Sequence, residues 1–165
     1  MTMDARLCHA HLDRLLTEEA AILQQLQTLL DKEHQLIVSN EIEALDSAGN
    51  EREAYIGALL KIDSERQTLC RASGRSPDKV GLADLLKWCD PSGALQRRWK
   101  TSTETILQCR TSNDRNGALV NSRLKRVEGM LDTLNGQNGR ESKVYTARGN
   151  AYQQANAGRV FNVQA

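Results

Sequence analysis

Proline is confined to one short part of the chain. The two prolines among its 165 residues are Pro77 and Pro91, so residues 1–76 and 92–165 contain none. Because proline removes a backbone N–H and clashes with the preceding helical turn, proline-free stretches of this length can form uninterrupted helices. Leucine (22) and alanine (17) outnumber isoleucine plus valine (13), and aromatic residues make up 4%. This composition favours helices and argues against an all-β fold or an open parallel sheet.

Apolar residues recur at steps of three and four along three long segments, as the buried stripe of an amphipathic helix requires. The long helices are predicted from about Asp4 to Val38, Asn40 to Ala72 and Leu95 to Leu134, with a short helix from Asp78 to Trp88. The sequence therefore predicts an all-α fold. We expect an elongated antiparallel helical bundle or coiled coil of three long helices plus one short helix, with a partly flexible C-terminal tail.

The composition changes sharply after residue 135. Residues 136–165 are rich in Asn, Gln, Gly and Ala, have few large apolar residues, and contain three of the six aromatic residues of the chain. Such a segment contributes little to a packed core. We expect a helical bundle domain over residues 1–135, and a C-terminal tail over residues 136–165 that forms a short helix or is disordered when unbound.

Several polar residues predict where helices begin and which carboxylates lie at a helix interface. Asn40, with a glutamate three positions on, resembles a capping box that starts the second helix. Ser76 precedes a proline in the pattern of an N-cap for the short helix. Glu19 and Glu33 fall in phase with the apolar stripe of the first helix, so we expect their carboxylates to reach the edge of the helical seam.

Charge is unevenly distributed along the chain. Residues 1–72 carry 13 acids and 7 bases, net −6, and residues 73–165 carry 8 acids and 15 bases, net +7, which gives the overall +1. The two halves can complement each other inside one fold, or the basic half can attract an acidic partner. Basic clusters at 97–100 and 123–126 could contact phosphates, but base-stacking aromatics are missing around the second cluster, so no nucleic-acid partner is expected.

No pattern for catalysis or cofactor binding stands out. The chain has no nucleophile-elbow, zinc-protease or phosphate-loop motif. Cys8 and His11 share one helix face, but no second cluster supplies the further ligands that a structural zinc site needs. We therefore expect no metal, no cofactor and no enzyme activity.

The location follows from equally simple features. No run of about 18 apolar residues exists, so membrane insertion is not expected. The N-terminal residues lack the apolar stretch of a signal peptide. We expect a cytoplasmic protein whose four cysteines are reduced, with Cys70 and Cys109 at apolar-phase helix positions where cysteine acts as a small hydrophobic residue.

Two asparagines occupy the inward stripe of the last long helix. Asn113 and Asn116 lie between Cys109 and Val120 in that stripe. Buried asparagine in a helical seam weakens the seam but fixes its register. The alternative is functional: a locally weakened seam can open for a partner helix.

The end of the same helix carries a second candidate surface. Val127, Met130, Leu131 and Leu134 form an apolar face that leads directly into the tail. Methionine and leucine make an adaptable surface for an amphipathic partner helix. Ordinary core packing is the alternative. An incomplete seam can also be closed by self-association, so the sequence leaves a homodimer open for the free protein.

Several motifs, in this order, resemble one known family. The first helix contains Glu18-Glu19 and then leucines 26, 29 and 30 followed by Glu33. The last long helix contains Trp99 and the stretch N-D-R-N-G-A-L at 113–119, and later leucines 131 and 134. The tail contains V-Y-T-A-R-G at 144–149, with Thr146 where the family often has glycine. These features resemble the FlgN family of flagellar export chaperones.

The resemblance implies a fold of long antiparallel helices and a role in flagellum assembly. It implies binding to the C-terminal amphipathic helices of the two hook–filament junction proteins, which are kept unassembled and delivered to the flagellar type III export apparatus. We assign Tyr145, Gly149 and Tyr152 of the tail to partner binding. The rival hypotheses are a coiled-coil structural or adaptor protein and, less favoured, a basic helical nucleic-acid-binding protein.

Overall fold

The computed structural model describes residues 3–135, and within them the fold is entirely helical apart from turns and loops. The four helices are α1 (Ala5–Val38), α2 (Ile42–Ala72), α3 (Lys79–Cys89) and α4 (Ala94–Leu134). This confirms the predicted all-α bundle of three long helices and one short helix. Tail residues 136–165 lie outside the described residues.

Helix α1 is the central element of the bundle. Its buried stripe of leucines packs against α2 on one side and α4 on the other, and α3 covers one end. In the described chain, no Cα atom of α2 lies within 8 Å of a Cα atom of α4. The two outer helices are thus held apart by α1 and leave a groove between them.

Two buried ion pairs join α1 to α2. Arg66 Nη2 lies 2.7 Å from Glu19 Oε2, and Arg52 Nη1 donates to Glu33 Oε1 at 2.7 Å, so the two helices run antiparallel. Each glutamate is only 1% exposed. The expectation that these carboxylates reach the edge of the seam was wrong, because each has an arginine of α2 opposite it that compensates its charge inside the seam.

Ion pairs between α1 and α4 link the acidic and basic halves of the sequence. Asp13 pairs with Arg98, and Asp31 lies 3.9 Å from Arg115, so α4 runs parallel to α1. Both contacts are largely exposed, so they add little stability individually. They show that part of the charge asymmetry is complemented within the fold.

Two predicted caps were wrong in detail. Asn40 has φ of 60° and its N–H donates to the carbonyl of Ile37, so it terminates α1 instead of capping α2. The short helix starts two residues later than Ser76 implied, because Asp78 is its N-cap and the Asp78 carboxylate accepts from the Gly81 N–H at 2.8 Å.

The loop before α3 packs closely against the first turn of that helix. A Cβ atom at Gly81 would lie 1.7 Å from the Ser76 carbonyl oxygen, so this position accepts only glycine. Val80 in the first turn of α3 is 75% exposed, whereas Gly81 and Leu82, which follow it, are buried. All four cysteines are free and buried. None of the described helices is long and apolar enough to cross a membrane.

Candidate functional site

Helix α4 continues past the end of the bundle. The Arg123 guanidinium donates to the Val38 carbonyl at 3.1 Å and to Asn40 Oδ1 at 3.4 Å, which fixes α4 against the α1–α2 turn. Within residues 3–135, Arg123 is the last residue of α4 that hydrogen-bonds to another element. Residues 124–134 therefore extend the helix by about 16 Å beyond this turn.

The extension carries an uncovered apolar surface, which we call the overhang face. It consists of Val127, Met130, Leu131 and Leu134, whose exposed fractions are 48%, 53%, 49% and 80%. These residues continue the stripe that is buried further back, where Cys109 is fully covered by α1 and α2. The stripe thus changes from core to open surface where its neighbours end.

A second feature, the α2–α4 groove, lies where these helices flank α1. Its volume is about 400 Å³. α1 contributes its floor and the two outer helices its walls. Its lining residues include Glu33, Ile37, Leu45, Asp46, Gly49, Asn50, Arg52, Asn113, Asn116, Gly117 and Val120. Both asparagines that the sequence singled out therefore face one cavity.

The two asparagines differ in their hydrogen bonding. Asn116 Nδ2 donates to the Leu30 carbonyl at 2.9 Å, and its Oδ1 accepts weakly from Arg115 Nε at 3.4 Å. Asn113 is 8% exposed and forms no hydrogen bond within the described part of the chain. The amide atoms of Asn113 are not fully enclosed, so they can be reached from the groove, and a bound polar group could hydrogen-bond to them. Asn116 thus fixes the register of α4 on α1, while Asn113 is available in the groove.

An ion pair lies beside these amides. Arg52 Nη1 donates to both carboxylate oxygens of Glu33, at 2.7 and 2.8 Å, and both residues line the groove. Burial raises the pKa of Glu33, an effect that the adjacent Arg52 partly offsets. Arg52 Nε is buried without an acceptor in the described chain. The Glu33–Arg52 pair thus places a compensated charge in the wall of the groove.

Two glycines line the groove, Gly49 on α2 and Gly117 on α4, so no side chain fills it at these positions. A Cβ atom at Gly117 would meet nothing within 4 Å, and one at Gly49 only the Arg52 guanidinium at 3.9 Å. Small residues on facing helices let a further helix approach closely. The groove can therefore accept helix backbone as well as side chains.

The groove residues and the overhang face lie on one stripe of α4, and the α1–α2 turn contacts α4 between them at Arg123. Asn113, Asn116, Val120, Val127 and Leu131 follow one another at helical spacing on the same stripe. From residue 113 to residue 134 this stripe is about 32 Å long, equal to six helical turns. Its length and chemistry suit one amphipathic helix, with polar contacts at one end and apolar contacts at the other.

The helical architecture agrees with the result of a comparison with protein families. The family model described as FlgN protein matches residues 9–153. The chain belongs to the FlgN family. This is a family of flagellar export chaperones, in agreement with the resemblance found in the sequence. No curated protein and no solved structure matches the chain.

The sequence predicted only part of the candidate surface of this FlgN-family chain. Its predictions included the two groove asparagines and the four overhang residues, all of them on α4, whereas Tyr145, Gly149 and Tyr152 lie outside the described residues. It did not identify the contribution of Glu33 and the α2 wall. Glu33 and Arg52 each occupy a position of the apolar stripe of their helix. Two opposite charges at such positions on antiparallel helices indicate a buried ion pair, and this pattern could have revealed the contact.

Metal-type residues do not gather in the described part of the chain. No group of three His, Cys, Asp or Glu side chains there is arranged to hold a metal ion. Cys8 is buried in the core, whereas the His11 imidazole lies 3.3 Å from the Glu65 carboxylate on α2. These two residues of the Cys8–His11 cluster serve packing and an interhelical contact.

Proposed function

We propose that this chain is a cytoplasmic chaperone for the flagellar hook–filament junction proteins. It binds their C-terminal amphipathic helices, prevents premature assembly, and delivers the subunits to the flagellar type III export apparatus. The observation that carries the proposal is the stripe of α4 from Asn113 to Leu134, which lines the α2–α4 groove at one end and is exposed as the overhang face at the other. Membership of the FlgN family gives independent support.

The binding mechanism follows from the two parts of the surface. An unassembled subunit exposes an apolar helix face, which the overhang face would cover and remove from water. The free amide of Asn113 would receive a polar group of the same helix. The polar end of the surface limits affinity and selects orientation, and moderate affinity permits release at the export apparatus.

We place the C-terminal tail in a second step of this function. Residues 136–165 would form a unit separate from the 1–135 bundle, with Tyr145, Gly149 and Tyr152 contacting the subunit or the export apparatus. Truncation after Asn135 should leave cooperative thermal unfolding in place and weaken partner binding. Loss of cooperative unfolding in the truncated chain would contradict this division.

Filling the groove tests the helix-binding function directly. Gly117→Leu places a branched side chain in open groove space, and Gly57→Leu places the same side chain on α2 at a position that is exposed and outside the groove. Both changes replace glycine in a helix by a better helix former, so neither should destabilise the fold.

The measurement is calorimetric titration with a peptide from the C-terminal helix of a junction protein, together with a scrambled peptide. We expect Gly117→Leu to weaken binding about tenfold or more, and Gly57→Leu to bind as the unmodified chain does. The titration is run at a concentration at which sedimentation shows a monomer, because a second copy could compete for the surface. Equal binding by both variants would rule out the groove, and no binding by the unmodified chain would overturn the function.

A further inference from the structure

A second surface lies at the opposite end of α4, about 42 Å along the helix from the overhang face. It is an open cleft of about 650 Å³ between the start of α3 and the first turns of α4. We call it the Trp99 pocket. Its principal lining residues are Lys79, Arg97, Trp99, Lys100, Thr103 and Glu104.

The pocket concentrates uncompensated positive charge. In the described chain, no carboxylate lies within 4 Å of the cationic groups of Lys79, Arg97 or Lys100. The neighbouring Arg98 is different, since its charge is compensated by Asp13. Arg97 is held in place by a hydrogen bond of 3.4 Å to the Ser92 carbonyl. Three cations against one acid, Glu104, give the pocket a net positive charge.

The aromatic wall gives the pocket a second property. Trp99 is partly buried, and it packs on the core cluster formed by α1, α2 and α3 while it lines the pocket. An indole ring held by the core is a rigid apolar contact surface that loses little entropy on binding. Trp88, by comparison, already has the Arg75 guanidinium 5.0 Å from its ring centroid. Trp99 is therefore suited to receive an apolar side chain.

We propose that the Trp99 pocket docks an acidic protein segment that presents one apolar side chain between its carboxylates. The apolar side chain would pack on Trp99, and the carboxylates would pair with Arg97 and Lys100, which lie three residues apart on one face of α4. Nucleic acid fits less well, because three cations and one indole make a short track and Glu104 would repel phosphate.

This site is independent of the proposed chaperone function. Its last lining residue, Glu104, lies about 14 Å along α4 from Asn113, so a helix bound along residues 113–134 leaves the pocket uncovered. The chain could therefore hold two partners at once, one through apolar helix contacts and one through charge.

The two tryptophans make a direct fluorescence assay available. Trp88→Phe leaves Trp99 as the only indole, and it keeps an aromatic ring under Arg75. The probe is an acetylated octapeptide of glutamates with a single leucine near its middle. The comparison probes are the same peptide with lysine for glutamate, the same peptide with serine for its leucine, and single-stranded DNA.

Matched charge reversals on one helix give the control. The pocket variant combines Arg97→Glu with Lys100→Glu and reverses two charges of the Trp99 pocket. The control variant combines Lys125→Glu with Arg126→Glu, which changes the net charge by the same amount at exposed positions far along α4. We expect saturable binding of the acidic apolar peptide, monitored by Trp99 emission and by the anisotropy of a labelled peptide. We expect the pocket reversal to weaken it about tenfold and the control reversal to leave it within about twofold.

The other outcomes would overturn the proposal. Equal weakening by both reversals would show non-specific charge attraction, and equal binding of the serine peptide would show that Trp99 takes no apolar side chain. Tighter binding of DNA than of the peptide would favour a nucleic-acid partner. Absence of saturable binding by the acidic apolar peptide would leave the pocket without this function.

Discussion

The overhang face makes a prediction that separates partner binding from folding. Leu131 and Leu107 both lie on α4 and have nearly the same exposed fraction, 49% and 51%, but only Leu131 belongs to the overhang face. Replacing each by aspartate removes a similar half-buried side chain from the folded protein. Full burial of a leucine is worth about 1.5–3 kcal/mol, so each change should cost about 1 kcal/mol of unfolding free energy.

The effects on binding should differ strongly. The exposed half of Leu131 offers about 1 kcal/mol to a partner helix that covers it, and Leu131→Asp loses that contribution. It also places a carboxylate without a partner in an apolar interface, which costs at least as much again. The sum, about 2 kcal/mol or more, corresponds to about thirtyfold weaker binding. Leu107→Asp should change Kd less than about twofold, because that side chain lies outside the interface.

The assay combines two measurements on the same samples. Urea unfolding, followed by circular dichroism, gives the stability of each variant, and calorimetric titration with the junction-protein peptide gives Kd. Equal weakening of binding by both aspartate variants would show that Leu131 is not a partner contact. Unfolding of the chain by Leu131→Asp would show that Leu131 is part of the core and not a partner surface.

Three further predictions concern the bundle itself. Gly81→Ala should destabilise the chain by more than about 2 kcal/mol in urea unfolding, because its Cβ would lie 1.7 Å from the Ser76 carbonyl oxygen; an unchanged midpoint would contradict that geometry. Arg66→Met should cost about 3–5 kcal/mol, because it leaves the Glu19 carboxylate buried without its partner, and the double variant with Glu19→Leu should recover most of the loss. Cys109, whose pKa is raised to about 11 by burial, should resist iodoacetamide at pH 8 in the native chain and react in urea; rapid native labelling, read by mass spectrometry, would contradict its burial.

Much of the fold was available from local patterns. The absence of proline outside Pro77 and Pro91 and the spacing of leucines predicted four helices with the observed bounds, give or take a few residues. Caps were less predictable. Asn40 and Ser76 have side chains that suit an N-cap, but backbone geometry around them decided that Asn40 ends α1 and that Asp78 caps α3.

The residues of the candidate site could be predicted from the sequence, but their exposure could not. The apolar stripe of α4 is a property of its own sequence, so the overhang residues could be identified. Whether that stripe is core or surface depends on where α1 ends, and α1 ends beside Arg123, so only the tertiary structure shows that Leu131 is half exposed.

The sequence by itself determined the helices, their inward faces and the membership of a chaperone family, since periodicity and motif order are local properties of the chain. The tertiary structure decided which of those faces remain open. It buried Glu33 against Arg52, left the Asn113 amide free beside them, and grouped uncompensated cations around Trp99. These relations join residues on different helices, and their distances are set by how the helices pack.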